Sequence, residues 1–307
     1  MGWDDSFRHS LRRNYTGRVL FDEPAAIHTS IRAGGKIDAV IFPGNLQELS
    51  TVLGFLRSNN VPYLPVGNWT NLIVKDGGFR GAFISLSQFR ELRDVFQGEK
   101  EAVIFAGAGC SLSELVKKAT DESLAGMEFC AGIPGSVGGA IRMNAGAFGG
   151  EIKDIIEQIV ITDSSGVLKT FSHEQLNFTY RNLVLPPDSI ITGASFRLRR
   201  GDIRKIEDRI HKIIKERGEK HPLEFPNAGS IFKNPGDCPA GKLIEELGLK
   251  GSIIGDAQVS EKHGNFIVNR KKATAADILS LIEMIRLTVF QKTGRKLETE
   301  VKVVGEA

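Results

Sequence analysis

Cysteine is scarce in this 307-residue chain, and what there is has the wrong spacing for chemistry. Cys110, Cys130 and Cys238 are odd in number and form no C-x-x-C pair, which argues against a disulfide framework or a structural zinc site. The six histidines (9, 28, 173, 211, 221 and 263) contain no i, i+4 pair, so no metal site is expected. No apolar run approaches the roughly eighteen residues of a membrane span, and no cleavable hydrophobic region opens the sequence. A cytoplasmic location is therefore expected, with no membrane partner. Charge of one sign is also lacking. A formal net charge of +3, with no Lys/Arg run interleaved with aromatics, sets nucleic acid aside. Any redox chemistry must then come from an organic cofactor or from side chains.

Glycine is what the chain has in one concentrated place. Between Gly132 and Gly150, seven of nineteen residues are glycine (132, 135, 138, 139, 146, 149 and 150). Each surrenders more backbone freedom on folding than another residue would. The segment is no linker, because Ile133, Val137, Ile141, Met143 and Phe148 give it apolar anchors. A packed, glycine-rich backbone lets N–H groups approach something a Cβ would push away, typically a phosphate or a flat ring. A second candidate cradle is Gly67-Asn68-Trp69-Thr70-Asn71, and Gly107-Ala108-Gly109 is a third glycine turn.

The hydrophobic fraction of 41% and the charged fraction of 25% are ordinary for a chain with room for two or three domains. Ala39–Phe42 reads as a strand. Asn45 to Glu48 reads as a capping box opening a helix with Leu49, Val52, Leu53 and Leu56 on one face. Val61–Val66 is a strand that Pro62 and Pro65 push towards an edge. Ala102–Ala106 is a strand, and Ser111 to Glu114 caps the next helix. Strands near Ile155–Thr162, Val167–Phe171 and Ile190–Leu198 follow, with a turn at Ser164-Ser165-Gly166. This is not the regular βαβ alternation of a doubly wound sheet, so the fold class is α+β. An amphipathic helix spans Asp202 to Arg217 and is expected to stop at Gly218. Beyond it come a strand entry at Ala228–Phe232, a short helix over Pro239–Leu247, a strand at Phe266–Val268, a long helix over Thr274–Thr293 closed by Gly294, and a terminal strand over Leu297–Val304. The implied domains are 1–86, 87–201 and 202–307.

Three polar residues sit in suggestive surroundings, each with two readings. Ser230, in Asn227-Ala228-Gly229-Ser230, is either a turn serine or a hydroxyl that Gly229 leaves approachable. Arg181, next to Tyr180 and near Phe178, is either a solvated loop arginine or a bidentate carboxylate clamp. Glu300 shares one face of the terminal strand with Glu298 and Lys302, and that face is either solvent or a cleft.

Taken together, several segments resemble the UDP-N-acetylenolpyruvoylglucosamine reductase family. They are Ile31-Arg32-Ala33-Gly34-Gly35, Asp76–Gly81, Ala106–Gly109, Gly132–Ile152, Tyr180-Arg181, Ala228–Pro235, Ala240–Glu246, Val259–Asn269 and Leu297–Val301, in the family's order. The resemblance implies a two-subdomain FAD-binding module of the vanillyl-alcohol-oxidase (PCMH) type and a C-terminal α+β substrate domain. It implies a flavoprotein oxidoreductase of peptidoglycan synthesis, and hence of cell wall biogenesis, cell shape and cell division. The reaction it implies carries hydride from NADPH through non-covalent FAD to the enolpyruvyl ether of UDP-N-acetylglucosamine enolpyruvate, giving UDP-N-acetylmuramate. The matching catalytic residues are Ser230 as proton donor, Arg181 and Glu300. Those matched to the cofactor are Arg32, Gly67, Asn68, Thr70, Asn71, Gly107, Gly109, Gly132, Pro134, Gly135, Ser136, Gly138, Gly139, Asn144 and Gly146. Those matched to substrate are Tyr180, Lys220, Lys233, Asn234 and His263. The short stretch between Arg181 and Ser230 fits the subtype without an inserted substrate loop, and a monomer is expected. Two alternatives stay open: an FAD oxidoreductase of the same fold with another substrate, and a catalytically silent nucleotide-binding protein.

One departure bears on the second alternative. The family pattern at the first phosphate loop is Gly-x-Gly-Ser-Asn, whereas this chain places Trp69 at the second glycine. If φ there is negative, the indole merely covers the loop and FAD binding is intact, as the unbroken second loop suggests. If the position needs a positive φ, cofactor binding is weakened or altered.

Overall fold

The computed structural model describes residues 3–163, 166–236 and 238–307; the expected turn residues Ser164 and Ser165 lie outside these. The chain divides into two compact units. The first comprises Met1–Leu20, Ala39–Asn68 and Gly81–Lys215, the second Phe21–Asp38, Trp69–Arg80 and Glu216–Ala307. Both contain helix and sheet, as the irregular order of elements predicts.

The first unit is built on a six-stranded sheet around the long strand Ile190–Arg200. That strand pairs antiparallel with Ile156–Thr162 on one side and Glu101–Gly107 on the other. Those neighbours in turn pair with Leu168–Ser172 and Leu92–Gln97. The helix Leu112–Asp121 packs on the sheet because Leu112, Leu115, Val116 and Ala119 recur at helical spacing and are all buried. It starts where expected, with the Ser111 and Glu114 side chains capping each other's backbone. Val137–Arg142, inside the glycine-rich segment, is a short helix whose Val137 and Ile141 join the same core. The helix Leu46–Ser58 is capped by Asn45, which accepts from the Glu48 N–H at 2.9 Å. Tyr63–Val66 is an edge strand, as its prolines require, and pairs parallel with Phe79–Ser85.

The second unit carries a four-stranded antiparallel sheet in the order Asn227–Ser230, Phe266–Asn269, Ala257–Val259, Ile253–Ile254. Ala240–Glu246 and the long helix Ala275–Thr293 contribute Ala240, Ile244, Ile278, Leu281, Ile282 and Ile285 to its core. Thr274 and Asp277 form the reciprocal cap of the long helix, and Gly294 ends it at φ 70°.

Two expectations change. The amphipathic helix runs Ile203–Lys220, through Gly218 rather than stopping there. Nothing lies within 4 Å of the missing Gly218 Cβ, and a mid-helix glycine costs only about 1 kcal/mol, too little to break a long helix. The terminal strand is shorter than Leu297–Val304: only Lys302–Val304 pairs, parallel to Leu72–Val74, while Thr299 makes a lone bridge to Phe232. The alternation survives without the ladder, with Leu297 and Val301 buried. Among the described residues, no helix is long and apolar enough to cross a membrane.

Candidate active site

The glycines of the first unit pack against neighbouring backbone and short side chains. A Cβ on Gly109 would lie 2.0 Å from the Leu86 carbonyl oxygen, and one on Gly107 2.3 Å from that of Phe89. On Gly138 it would meet the Ala108 Cβ at 2.9 Å, and on Gly67 the Ser136 Oγ at 2.0 Å. Gly67, Gly107–Gly109 and Gly135–Gly139 thus converge in one place because no side chain holds them apart. Ser136 is buried and accepts from the Gly139 N–H at 3.3 Å, while the Gly135 carbonyl accepts from Leu112 at 3.1 Å. Asn68, Gly132, Pro134 and Gly139 form an exposed rim, and the missing Cβ of Gly139 would meet only the Ser136 Oγ, at 3.4 Å. An exposed rim that includes two glycines lets a diphosphate or a flat ring approach the backbone.

Arg181 is held on the glycine segment by a set of bonds that the sequence alone did not reveal. It sits in the two-residue turn of the hairpin Asn177–Thr179 and Asn182–Val184, at φ 56°. A left-handed conformation costs a non-glycine residue about 1–2 kcal/mol, so the turn must be fastened. Arg142, at the end of the short helix, donates to the Asn182 side chain at 3.1 Å and to the Leu183 carbonyl. Asn144 is fully buried; its amide donates to the Thr179 carbonyl at 3.3 Å and to Glu151 at 3.0 Å, and it accepts from the Lys153 N–H at 3.1 Å. Asn144 is therefore a fastener of the hairpin. Arg181 Nη2 donates to the Gly146 carbonyl at 2.9 Å, and its guanidinium lies 5.1 Å from the Tyr180 ring centroid. Gly146 allows this approach: its Cβ would fall 3.1 Å from Arg181 Nη1. Glu151 is held below the usual carboxylate range first by its bond to Lys153, then by Asn144 and by the charges of Lys153 and Arg181, so it stays ionised beside this cluster. Cys110 is buried, which pushes its thiol up and leaves it unreactive.

In the second unit the structure brings Ser230 and Glu300 together. The Glu300 N–H donates to the carbonyl of Ile231, the residue after Ser230, at 2.8 Å. Asn265 makes this possible. It is buried, with its side-chain oxygen accepting from the Phe232 N–H at 2.9 Å and its amide donating to the Phe232 carbonyl at 2.8 Å. Its own carbonyl accepts from Ile231 at 2.9 Å. Asn71 holds the other side, donating to the Glu300 carbonyl at 3.2 Å and accepting from the Lys302 N–H at 3.1 Å. Ser230 and Glu300 are both half-buried. Gly229 has φ 73° and nothing within 4 Å of its missing Cβ, so the space beside Ser230 is open.

Trp69 corrects an expectation. Its φ is 56°, not negative, so the indole occupies a backbone position suited to glycine. The ring is buried and stacks on His28, centroids 4.9 Å apart at 28°, while His28 Nε2 lies 2.7 Å from the Glu23 carboxylate. Such stacking contributes about 0.5–1.5 kcal/mol, comparable to the strain it offsets. Ser30 adds to this: its N–H donates to the Trp69 carbonyl at 3.3 Å, and its hydroxyl to the carbonyls of Asn227 at 2.6 Å and Thr70 at 3.4 Å. Arg32, also at positive φ (55°), is exposed beside this segment, and its carbonyl accepts from Asn269 at 3.3 Å.

The remaining predicted residues have clear local partners. Lys220 pairs with Glu216 at 2.5 Å, and Lys233 with Glu298 at 3.5 Å. The Asn234 side chain accepts from the Ala240 N–H at 3.0 Å, capping the helix Ala240–Glu246. His263 packs edge-on against His221 and Phe266, and its Nδ1 accepts from the Asn265 N–H at 3.1 Å. Burial, then the charge of Lys250, pulls His263 below its ordinary range. Burial, then Arg217, pulls His221 down to about 4. Both imidazoles are neutral at pH 7. The positioning residues missed from sequence, Arg142, Asn265, Ser30 and His28, act through long-range bonds or ring contacts. No spacing advertises such partners.

Two family models match this chain: residues 37–172 match the FAD binding domain, and residues 221–304 match the C-terminal domain of UDP-N-acetylenolpyruvoylglucosamine reductase. A protein of Syntrophus aciditrophicus with that reductase's name is 48% identical over 303 residues, covering 99% of this chain and 97% of its own length. One of Geobacter metallireducens with the same name is 44% identical over 303 residues, covering 99% of each chain. The crystal structure of the reductase from Thermus caldophilus superposes with a TM-score of 0.79 at 33% identity, covering 93% of this chain and 98% of that one. The glycine cluster at Gly67, Gly107–Gly109 and Gly135–Gly139 lies wholly within the stretch matched to the FAD binding domain, and the exposed rim at Asn68, Gly132, Pro134 and Gly139 leaves room for the diphosphate of that cofactor. Ser230 and Glu300, fastened by Asn265, lie in the other matched stretch. With both halves matched in order and near-complete coverage at 48% identity, the chain belongs to the UDP-N-acetylenolpyruvoylglucosamine reductase family.

Proposed function

We propose that this chain reduces the enolpyruvyl ether of UDP-N-acetylglucosamine enolpyruvate to the lactyl ether of UDP-N-acetylmuramate, a step in peptidoglycan precursor synthesis. FAD, when bound, supplies the two-electron carrier between NADPH and the sugar nucleotide. Two hydrogens are added overall: a hydride equivalent at C3 of the enol ether and a proton at C2, with NADPH oxidised to NADP+. The chain's own task is to hold the substrate carboxylate, stabilise charge that develops at C2, and deliver the proton.

Arg181 takes the carboxylate. A guanidinium fork matches two carboxylate oxygens, and its attraction grows as negative charge accumulates, so it lowers the barrier more than it strengthens binding. Ser230 gives the proton to C2. A serine hydroxyl is a poor acid towards weak bases, but a C2 carbanion is basic enough to take from it. Glu300, whose N–H donates to the carbonyl of Ile231 next to Ser230, stabilises the enol form of the carboxylate group. Tyr180, Lys220, Lys233, Asn234 and His263 serve the nucleotide sugar, Lys220 and Lys233 as cations for its diphosphate. Arg32, Thr70 and Asn71, with the first unit's glycine loops, Ser136 and Asn144, serve FAD, Asn144 by fastening its loop. The observation that carries this reading is the joining of Ser230 and Glu300 through Ile231, in a stretch matched to this reductase's own C-terminal domain.

The domains proposed are 1–86 and 87–201 for the cofactor and 202–307 for the substrate; the matched stretches 37–172 and 221–304 fall on either side of the last border. We take the protein to act as a cytoplasmic monomer, where NADPH and nucleotide sugars are made. Incubation with FAD, NADPH and the enolpyruvyl sugar nucleotide should give a product heavier by two hydrogens, with one NADPH consumed per product by mass spectrometry and absorbance at 340 nm. NADPH oxidation without a mass change in the sugar nucleotide would contradict the assignment.

A further inference from the structure

The geometry points to Glu23, His28 and Trp69 as a positioning clamp that sets the first phosphate loop for FAD by holding Trp69 in a left-handed turn. This rests on the FAD reading above and adds three residues to it. Trp69 has φ 56°, a conformation that glycine reaches freely and a tryptophan does not. A side chain at such a position must be restrained, and here the restraint is visible. The indole is buried and stacks on the His28 ring at 4.9 Å and 28°, and Glu23 fixes the imidazole through its Nε2 at 2.7 Å.

The backbone of the same residue is fastened separately. Ser30, two residues after His28, donates its N–H to the Trp69 carbonyl, and its hydroxyl to the carbonyls of Thr70 and Asn227. One short segment, 28–30, thus holds Trp69 by its ring and by its peptide. Asn71, two residues on, is tied to the Glu300 carbonyl and the Lys302 N–H. The peptide groups of 69–71 are therefore fixed at both ends before any ligand arrives. Preorganised donors bind a phosphate more tightly than mobile ones, because the ordering cost is met on folding. The clamp does by packing what a glycine does by having no Cβ, and Trp69 acts through the backbone rather than by touching the cofactor.

Titration of FAD into the apoprotein, followed by flavin fluorescence, tests this. Trp69→Gly should keep the FAD Kd within about threefold of the parent, since glycine adopts the turn unaided. Trp69→Ala should loosen it by about tenfold or more, because alanine keeps the steric penalty and loses the stack. His28→Ala should loosen it similarly, His28→Phe should restore it by returning a ring to the stack, and the Trp69→Ala/His28→Ala pair should be no worse than the worse single change. A second readout needs no flavin. In a Trp3→Phe background the remaining tryptophan is Trp69, and His28→Ala should shift its emission to the red while His28→Phe does not. Equal loosening by Trp69→Gly and Trp69→Ala would overturn the proposal, because the indole itself would then be the contact. An unchanged Kd and emission in His28→Ala would overturn it as well. Failure of the parent protein to bind FAD would overturn the underlying FAD reading instead, and that outcome is distinct because the emission test would still report the stack.

Discussion

The glycine loops of the first unit and the Ser230–Glu300 corner of the second solve the same problem by opposite means. Both must hold irregular backbone in one conformation without a long ladder. The first does it by leaving side chains out: at Gly67, Gly107, Gly109 and Gly138 any Cβ would fall within 2.9 Å of a neighbouring atom. The second does it with asparagine. Asn227, Asn265, Asn269 and Asn71 each bond backbone groups, Asn269 reaching the Ile31 carbonyl at 3.0 Å while accepting from the Ala273 N–H at 2.9 Å. Close packing of these loops leaves an exposed rim with little side chain over it, which suits an anionic cofactor. Asparagine struts leave side chains between them free to do chemistry, and Gly229 beside Ser230 opens space instead of closing it. The two regions should therefore respond to mutation in different ways.

The largest steady-state difference is expected at Arg181. Arg181→Ala should lower kcat/KM for the sugar nucleotide by about 10²–10³-fold, the scale of removing one preorganised charge-stabilising group. Arg181→Lys should recover little, because an ammonium cannot present a fork. Flavin reduction by NADPH should stay near normal in both, and its collapse would mean that Arg181 supports the cofactor instead.

Gly109→Ala comes next. Its Cβ would meet a backbone carbonyl at 2.0 Å, which cannot rotate away, so about 3 kcal/mol of unfolding stability should be lost, along with FAD affinity. Gly229→Ala, with open space but φ 73°, should cost only about 1–2 kcal/mol and leave FAD affinity intact. Denaturant titration of the two variants separates close approach from backbone strain; equal losses would erase the distinction between the regions. Asn265→Ala should cost about 2 kcal/mol, since it leaves the Phe232 N–H and carbonyl buried and unpaired. It should also lower kcat more than it raises KM, because it loosens the backbone that joins Ser230 to Glu300.

The smallest effect is a pH dependence confined to the second unit. His221 has a folded pKa of about 4 against an unfolded value near 6.5. As pH falls, the unfolded chain takes up this proton first. Stability present above pH 6.5 is therefore lost progressively between about 6.5 and 4, on the order of 1–2 kcal/mol for a half-buried ring. His263, lowered in the same direction, adds to the trend. His221→Phe keeps the ring packing against Phe266 and should flatten the slope; an unchanged slope would assign the acid sensitivity to other groups.

Much of this architecture could be read from the residues. Capping pairs at Ser111/Glu114 and Thr274/Asp277, the glycine stop at Gly294 and the apolar spacing of Leu112, Leu115, Val116 and Ala119 are local signals, and each appears in the structure. Within the glycine-rich stretch Gly138 and Gly146 are closely packed, their missing Cβ atoms falling 2.9 Å from the Ala108 Cβ and 2.7 Å from the Glu151 Cγ, whereas Gly149 is open. What could not be read was long-range: that Asn265 holds Phe232, that Arg142 and Asn144 pin the Arg181 hairpin, that His28 lies under Trp69. Those contacts join residues 33 to 41 positions apart, and one asparagine or histidine looks like any other until the chain has folded. Gly218 and the 297–301 segment misled for the reverse reason: a lone glycine costs too little to end a long helix, and alternation alone does not supply a ladder partner.

The most direct test of the central claim is an anaerobic double-mixing experiment that follows flavin absorbance near 450 nm, first with NADPH and then with UDP-N-acetylglucosamine enolpyruvate, in the parent protein and in Ser230→Ala. The parent should bleach with NADPH and recover rapidly with the sugar nucleotide. Ser230→Ala should bleach at nearly the same rate and recover about 10²–10⁴-fold more slowly, the range expected for loss of a general acid. Bleaching without recovery in the parent, or recovery in Ser230→Ala at the parent's rate, would contradict the account.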